Sequence, residues 1–215
     1  MSGLFASNLR VLITDDHLVI QQGLGYIIKE AFPQTAIAYS GSLEATLTLL
    51  EKQKFDLLIL DINIPGGNGF HMVEQIKAAQ QDVKILIFSS YEESTYALRY
   101  LKAGSNGYLE KSASEEQIII AITSICTRGK YVSEQVKEQL LDSLSNDHTL
   151  IKHAALTNRE MEIAKFVAEG KGTSAISAEM NLQASTISTH KKNIFEKLKI
   201  TNVAQLIEIF RMNQY

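Results

Sequence analysis

The sequence predicts a doubly wound α/β domain followed by a small all-helical domain. Three observations carry this reading. Short β-prone runs alternate with helical patterns over the first 128 residues, the mark of a parallel sheet covered on both faces. From Leu156 onward no strand pattern recurs. The charge also changes sign: residues 1–148 hold 12 Lys+Arg against 18 Asp+Glu (−6), and residues 149–215 hold 9 against 6 (+3). An acidic half followed by a basic half points to two tasks, the second on a polyanion.

The strand candidates are residues 9–14, 35–40, 56–60, 83–88 and 107–110. Between them, "HLVIQQGLGYIIKEAF", "SLEATLTLLEKQ", "GFHMVEQIKAAQ" and "ESTYALRYLKAG" carry helical periodicity, and "SEEQIIIAITSIC" follows the fifth strand. Ser42 is placed to cap the second helix, Gly104 to end the fourth and Gly129 to end the fifth. The chain then divides into a tail (1–8), the α/β domain (9–128), a linker with one embedded helix (129–152) and a helical domain (153–215). Thr157-Asn158-Arg159-Glu160 is a capping box opening the first helix of that domain. Gly170 and Gly172 break this helix, and shorter helices follow at about 174–181, 184–199 and 202–212.

Composition narrows the class further. No apolar run approaches the ~20 residues of a membrane span. The start, "MSGLFASN", lacks the basic flank and apolar stretch of a signal peptide. The single cysteine, Cys126, sits in an apolar run and reads as a buried small hydrophobe. A soluble, cytoplasmic protein without disulfides is expected.

The chemistry gathers at strand ends, where open parallel sheets bind ligands. Asp15 and Asp16 follow the first strand, Asp61 the third, Ser89 the fourth and Lys111 the fifth. Singly, these would be turn residues, a helix cap and a surface charge. Together on one edge they argue for a site. Clustered carboxylates resist joint ionisation, and a hard cation such as Mg²⁺ relieves this through oxygen ligands. An aspartate can act as a covalent nucleophile, Lys111 offers a point charge to a phosphoryl group, and Ser89 offers a hydroxyl. Pro65 stiffens the loop after Asp61. A haloacid-dehalogenase-type phosphatase would want a second aspartate two residues after the nucleophile, where Asn63 stands. His17 reads as an exposed residue at a helix start rather than a metal ligand.

These residues carry a resemblance. "DD" after strand one, D-x-x-x-P-x-x-x-G at 61–69, Ser89 and "GYLEK" at 107–111 resemble the receiver domain of two-component response regulators over about residues 9–128. The resemblance implies a flavodoxin-like five-stranded sheet of order 2-1-3-4-5 with Asp61 as phospho-acceptor. It implies Mg²⁺ on Asp16, Asp61 and the Asn63 backbone carbonyl, with Asp15 acting through water. Ser89 and Lys111 would hold the phosphoryl group, Tyr108 would be the switch aromatic, and a sensor histidine kinase would be the donor. Slow self-dephosphorylation is the only turnover it implies, so no enzyme in the usual sense is expected.

In the basic half, "STISTHKKNIFEKLKI" (185–200) projected as a helix places Ile187, Ile194 and Leu198 on one stripe. Ser188, Thr189, Lys192, Asn193 and Glu196 fall opposite, with Lys191 adjacent to Lys192. A face of small polar groups and lysine suits a major groove, and the preceding helix and turn complete a helix-turn-helix. A solvated face on a helical bundle is the plainer alternative. The segment resembles the LuxR-type helix-turn-helix over roughly 153–214; joined to a receiver it resembles the NarL/FixJ class. The chain departs from the usual family residues at 174–177, Gln183, Ser188 and Val203. The resemblance implies a transcription factor whose phosphorylation controls dimerisation and binding of double-stranded DNA, with RNA polymerase as a candidate contact. Docking of the helical domain on a protein is the alternative output.

Overall fold

The computed structural model describes residues 9–67, 69–138 and 156–211. The chain forms two compact units, Met1–Leu140 and Leu141–Tyr215.

In the first unit five strands, β1 (Arg10–Thr14), β2 (Ala36–Ser40), β3 (Leu57–Leu60), β4 (Lys84–Ser89) and β5 (Gly107–Glu110), make one sheet. The order is β2-β1-β3-β4-β5, and every pairing is parallel. The intervening helices are α1 (Leu18–Ala31), α2 (Leu43–Lys52), α3 (His71–Ala79), α4 (Glu93–Lys102) and α5 (Glu115–Arg128). All four β3 residues are buried, because a sheet covered on both faces needs continuous apolar strands rather than alternating ones. Val11, Ile13, Leu57, Ile59, Leu86, Phe88 and Leu109 form one core face with Leu24 and Ile28 of α1 and Ile118, Ala121, Ile122 and Ile125 of α5. Their strand neighbours Leu12, Leu58, Ile85 and Ile87 are buried on the opposite face. Cys126 is half-buried at the margin of the first face rather than enclosed. Its place near the end of α5 leaves one side open, and burial still raises the thiol pKa.

Local chemistry explains several helix ends. Ser42 caps α2 by accepting from Ala45 N–H, and Ser114 with Gln117 forms a full capping box on α5. Gly104 and Gly129 take the left-handed conformation at the ends of α4 and α5, with φ 107° and 80°. At the start of α4 no side chain of the helix caps it. Glu110 at the end of β5 does so instead, accepting from Glu93 N–H at 2.8 Å. Residues 134–138, at the start of the expected linker helix, are helical; its remainder lies outside the described residues.

The second unit contains α6 (Asn158–Ala168), α7 (Thr173–Met180), α8 (Ala184–Leu198) and α9 (Val203–Arg211). Thr157 and Glu160 close the expected capping box. Leu156, Ile163, Ala164, Ile176, Ile187 and Leu206 are fully buried and form the core. A three-residue turn joins α7 to α8, with Asn181 left-handed at φ 51°. Arg159 fastens the turn by donating to the Met180 carbonyl at 3.0 Å. Gln183 precedes α8 without a side-chain capping bond, as its longer side chain predicts.

Candidate functional site

Strand register builds the site in the first unit. Thr14 pairs with both Ser40 and Leu60, so β1, β2 and β3 end level. Asp15 N–H then donates to Ser40 O at 3.1 Å, and Asp61 N–H donates to Thr14 O at 2.9 Å. Likewise Ser89 pairs with Glu110, and Lys111 N–H donates to Ser89 O at 2.7 Å. Backbone bonds thus pin the β1 exit to that of β3 and the β4 exit to that of β5; Asp15, Asp61 and Lys111 meet beyond the sheet, while Ser89 Oγ accepts from Tyr91 N–H. Ser89 is the last residue of β4 rather than the first beyond it; it is buried while Ser90 is exposed.

Asp15 and Asp61 are 2% and 4% exposed, which for carboxylates requires compensation. Lys111 supplies part of it, its Nζ lying 2.6 Å from Asp15 Oδ2 and 2.9 Å from Asp61 Oδ2. Burial works against the ammonium charge, but the two carboxylates outweigh it and raise the Lys111 pKa. Asp61 Oδ1 accepts from Ile62 N–H at 2.7 Å, and Asp15 Oδ1 from His17 N–H at 2.8 Å. Gln21 holds the neighbouring backbone by donating to Asp15 O and Ser40 O. Asp16 completes a group with Asp15, His17 and Asp61 whose ligand atoms all lie within 4.8 Å of one another. Three carboxylates thus gather at the strand ends, two of them sharing the Lys111 ammonium.

His17 is exposed at the start of α1, as expected, but its Nδ1 turns back to Asp16 Oδ1 at 2.8 Å. Asn63 is exposed, and its side-chain amide lies 3.2 Å from the Tyr91 hydroxyl. Tyr91 and Gln21 were not singled out in the sequence, since neither carries a charge or sits at a strand end. Tyr91 N–H donates to Ser89 Oγ at 3.3 Å, and Tyr91 O accepts from the Tyr108 hydroxyl at 2.9 Å. Tyr108 therefore stands fully inward, and burial pushes its phenol far above the ordinary value.

In the second unit Ile187, Ile194 and Leu198 are buried, with Ser188, Thr189, Lys192 and Glu196 exposed and Asn193 half-exposed. The Ser188 and Thr189 hydroxyls donate to Ala184 O and Ser185 O, each at 3.0 Å, which turns their lone pairs outward as acceptors. Lys192 makes a loose contact with Glu196 at 3.9 Å. Lys191 is half-buried beside the core stripe rather than in the middle of the polar face.

Residues 11–123 match the family described as the response regulator receiver domain. The chain is a response regulator. Residues 154–210 match the bacterial regulatory proteins of the luxR family. The chain is 28% identical to "Response regulator GacA" of Pseudomonas aeruginosa, over 92% of this chain and 93% of that protein. RcsB from Salmonella enterica serovar Typhimurium, solved bound to a promoter with a phosphomimetic, shares the fold at TM-score 0.59 and 23% identity. That match covers 95% of this chain and 98% of the RcsB chain. A structure of two RcsB dimers on two parallel DNAs matches at TM-score 0.59 and 22% identity, again over 95% and 98%. The response regulator thus has the NarL/FixJ arrangement: a receiver and a LuxR-type helix-turn-helix in a transcription regulator, not an enzyme in the usual sense. Among the described residues no helix is long and apolar enough to cross a membrane.

Proposed function

We propose that Asp61 accepts a phosphoryl group from a phosphohistidine of a sensor kinase, and that this controls dimerisation and DNA binding by the helical domain. The observation that carries the reading is the charge imbalance at the strand ends. Asp15 and Asp61 share the Lys111 ammonium, and Asp16, turned to His17, has a ligand oxygen within 4.8 Å of theirs; the gathered carboxylates are a donor set that a hard dication with oxygen ligands fits. Asp16, Asp61 and the Asn63 carbonyl would hold Mg²⁺, with Asp15 reaching it through water. When bound, Mg²⁺ neutralises charge on the pocket and on the phosphoryl oxygens.

An Asp61 carboxylate oxygen attacks phosphorus, the P–N bond to the kinase imidazole breaks, and a mixed anhydride forms. Lys111 is positioned between Asp15 and Asp61 to take up one phosphoryl oxygen. Ser89 donates to another, giving up Tyr91 N–H in the exchange. The inward Tyr108 is the state that this exchange favours, because a ligand biases two states only by its differential affinity. Domain limits at 9–128, 129–152 and 153–215 and a cytoplasmic location accompany this reading.

For DNA, Lys192 and the more peripheral Lys191 supply phosphate contacts, while Ser188, Thr189 and Asn193 read base edges. Two copies joined through α9 would span half-sites about one helical turn, ~10 bp, apart. In α9, Leu206 is consumed by the domain core, whereas Val203, Ile207 and Phe210 are only partly covered. The phosphomimetic RcsB–promoter structure supports the same use of the fold.

The test is chemical. With Mg²⁺ and a small phosphoryl donor the full chain should gain one hydroxylamine-labile phosphate, and Asp61→Asn or removal of Mg²⁺ should abolish it. Labelling that survives Asp61→Asn would place the acceptor elsewhere. Ser89→Ala should still label yet lose the phosphorylation-dependent change in dimerisation or DNA binding.

A further inference from the structure

Two loops carry the residues assigned above to the cation, Asp15–Asp16 after β1 and Asp61–Asn63 after β3. Both loops are anchored on uncharged groups. Asp15 N–H donates to Ser40 O at 3.1 Å. Gln21, 8% exposed in α1, donates from Nε2 to Asp15 O at 2.6 Å and to Ser40 O at 3.0 Å. Both peptide groups of Asp15 are thereby tied to Ser40, one directly and one through Gln21. On the other side, Asp61 N–H donates to Thr14 O at 2.9 Å, and Leu43 N–H, in the first turn of α2, donates to Pro65 O at 3.0 Å.

A buried ring of hydroxyls joins these anchors. Thr14 Oγ1 and Ser40 Oγ lie 2.7 Å apart, Ser40 Oγ and Thr46 Oγ1 2.8 Å, and Thr14 Oγ1 and Thr46 Oγ1 3.0 Å. Thr46 Oγ1 also donates to the Ser42 carbonyl at 2.8 Å. All three hydroxyl residues are buried, and every hydroxyl proton has an acceptor within the ring or at Ser42. A buried polar network satisfied in this way stiffens the segments it joins. Here those segments are the ends of β1 and β2 and the first turn of α2, the elements that hold both loops. The ring residues carry no charge and spend their bonds on one another, so the ring shapes the pocket without being a ligand set itself.

We propose that Gln21, Thr14, Ser40 and Thr46 are positioning residues that hold the two loops at a fixed separation, and that this separation selects Mg²⁺ over the larger Ca²⁺. The inference rests on the assignment of the cation to Asp16, Asp61 and the Asn63 carbonyl given above. Mg²⁺ takes oxygens at about 2.0–2.1 Å in a near-ideal octahedron, whereas Ca²⁺ takes them at about 2.3–2.6 Å in adaptable geometry. A few tenths of an ångström in loop position therefore decide between the two ions. The carboxylates alone do not discriminate, since both ions are hard and prefer oxygen donors. Anchors that resist widening of the pocket do. Loops freed from them follow whichever ion arrives, and the preference narrows.

Calorimetric titration of the full chain with Mg²⁺ and, separately, with Ca²⁺ tests this. The parent chain should prefer Mg²⁺. Thr46→Val keeps the size of the side chain and removes its hydroxyl, whereas Thr46→Ser keeps the hydroxyl. Thr46→Val and Gln21→Leu should each lose about fivefold in Mg²⁺ affinity, the factor that one net hydrogen bond is worth, with Ca²⁺ affinity changed by less than about twofold, so that the ratio of the two affinities falls. Thr46→Ser should keep the parent's ratio. A network that serves stability alone would lower the unfolding midpoint of Thr46→Val and leave the ratio at the parent's value, and that result would overturn the proposal. An equal fall of the ratio in Thr46→Ser would also overturn it, by tracing the preference to packing rather than to the hydroxyl. Should Thr46→Val not fold, Gln21→Leu and Ser40→Ala carry the same comparison. A parent chain that binds both ions equally would overturn the selection while leaving the cation site in place. A parent chain that binds neither would remove the cation assignment itself.

Discussion

Each domain holds a buried carboxylate against a lysine, and the two arrangements differ in what is left over. In the helical domain Glu160 is 3% exposed, and its Oε2 lies 2.6 Å from Lys197 Nζ. The same oxygen accepts from Thr157 N–H at 2.8 Å and from the Thr157 hydroxyl at 3.0 Å. One negative charge meets one positive charge and two further donors, so the account closes. In the receiver, Lys111 is shared between Asp15 and Asp61 while Asp16 adds a third carboxylate. A satisfied pair fastens α6 to α8; the receiver cluster gathers three carboxylates around a lysine that reaches only two of them. Surplus charge, more than burial or closeness, separates a site from a staple.

Removing each lysine should expose this difference most strongly. Lys197→Met leaves a buried carboxylate without its counter-charge, and the helical domain should lose about 2–3 kcal/mol, the upper range for a stranded charged group, since Lys197 itself is partly solvated. Urea unfolding followed on α6–α8 would measure this, and no divalent cation should restore it. Lys111→Met should instead tighten Mg²⁺ binding about tenfold, because it removes the cation that competes for the same carboxylates. Titration calorimetry would detect that gain, and equal or weaker Mg²⁺ binding would show that the pocket is a staple too.

The pH dependence of the two domains should diverge by a smaller amount. For Glu160 burial favours the neutral acid, but the bonds from Lys197 and then Thr157 outweigh it and hold the carboxyl below its usual 4.5. Its contribution is full above pH 4.5 and should be lost as pH falls through the lowered value. For Glu93 burial dominates over the Ser133 donors and raises the carboxyl above 4.5. Its contribution is full below pH 4.5 and should be lost as pH rises through the raised value. Domain-resolved unfolding between pH 3 and 7, within the range where carboxylates titrate, should show slopes of opposite sign, removed by Glu160→Gln and Glu93→Gln respectively.

The smallest effect belongs to the DNA face. Lys192 is exposed and only loosely engaged by Glu196. Lys192→Ala should weaken promoter binding several-fold on all sequences and lower the salt slope by about one, whereas Asn193→Ala should relax preference at particular base pairs. Titrations on matched and scrambled duplexes at several salt concentrations separate the two. A parent protein without any salt slope would favour the protein-docking alternative.

The site was legible where residue type alone carries the chemistry. Asp15, Asp16, Asp61 and Lys111 announce themselves because charges at the exits of apolar strands have few uses. Ile187, Ile194 and Leu198 were equally legible, since helical periodicity assigns a face without further knowledge. Gln21, Tyr91 and Glu110 were not, because their roles are to hold backbone groups that only the folded chain brings near. Gln21 reaches Ser40 O from nineteen positions away, and Glu110 caps a helix that begins seventeen residues before it.

By itself, then, the sequence determined the alternation of elements, the two-domain division of charge, the helix caps at Ser42 and Thr157, and the acidic exits with their lysine. These depend on local spacing and on hydrophobic periodicity, which act over a few residues. Tertiary structure decided that β1, β2 and β3 end level, that Lys111 lies between Asp15 and Asp61, that Tyr108 is inward and that the chain after α5 comes back to Asn106 beside β5. Those outcomes depend on strand register and on contacts between distant segments, which neither composition nor periodicity can encode.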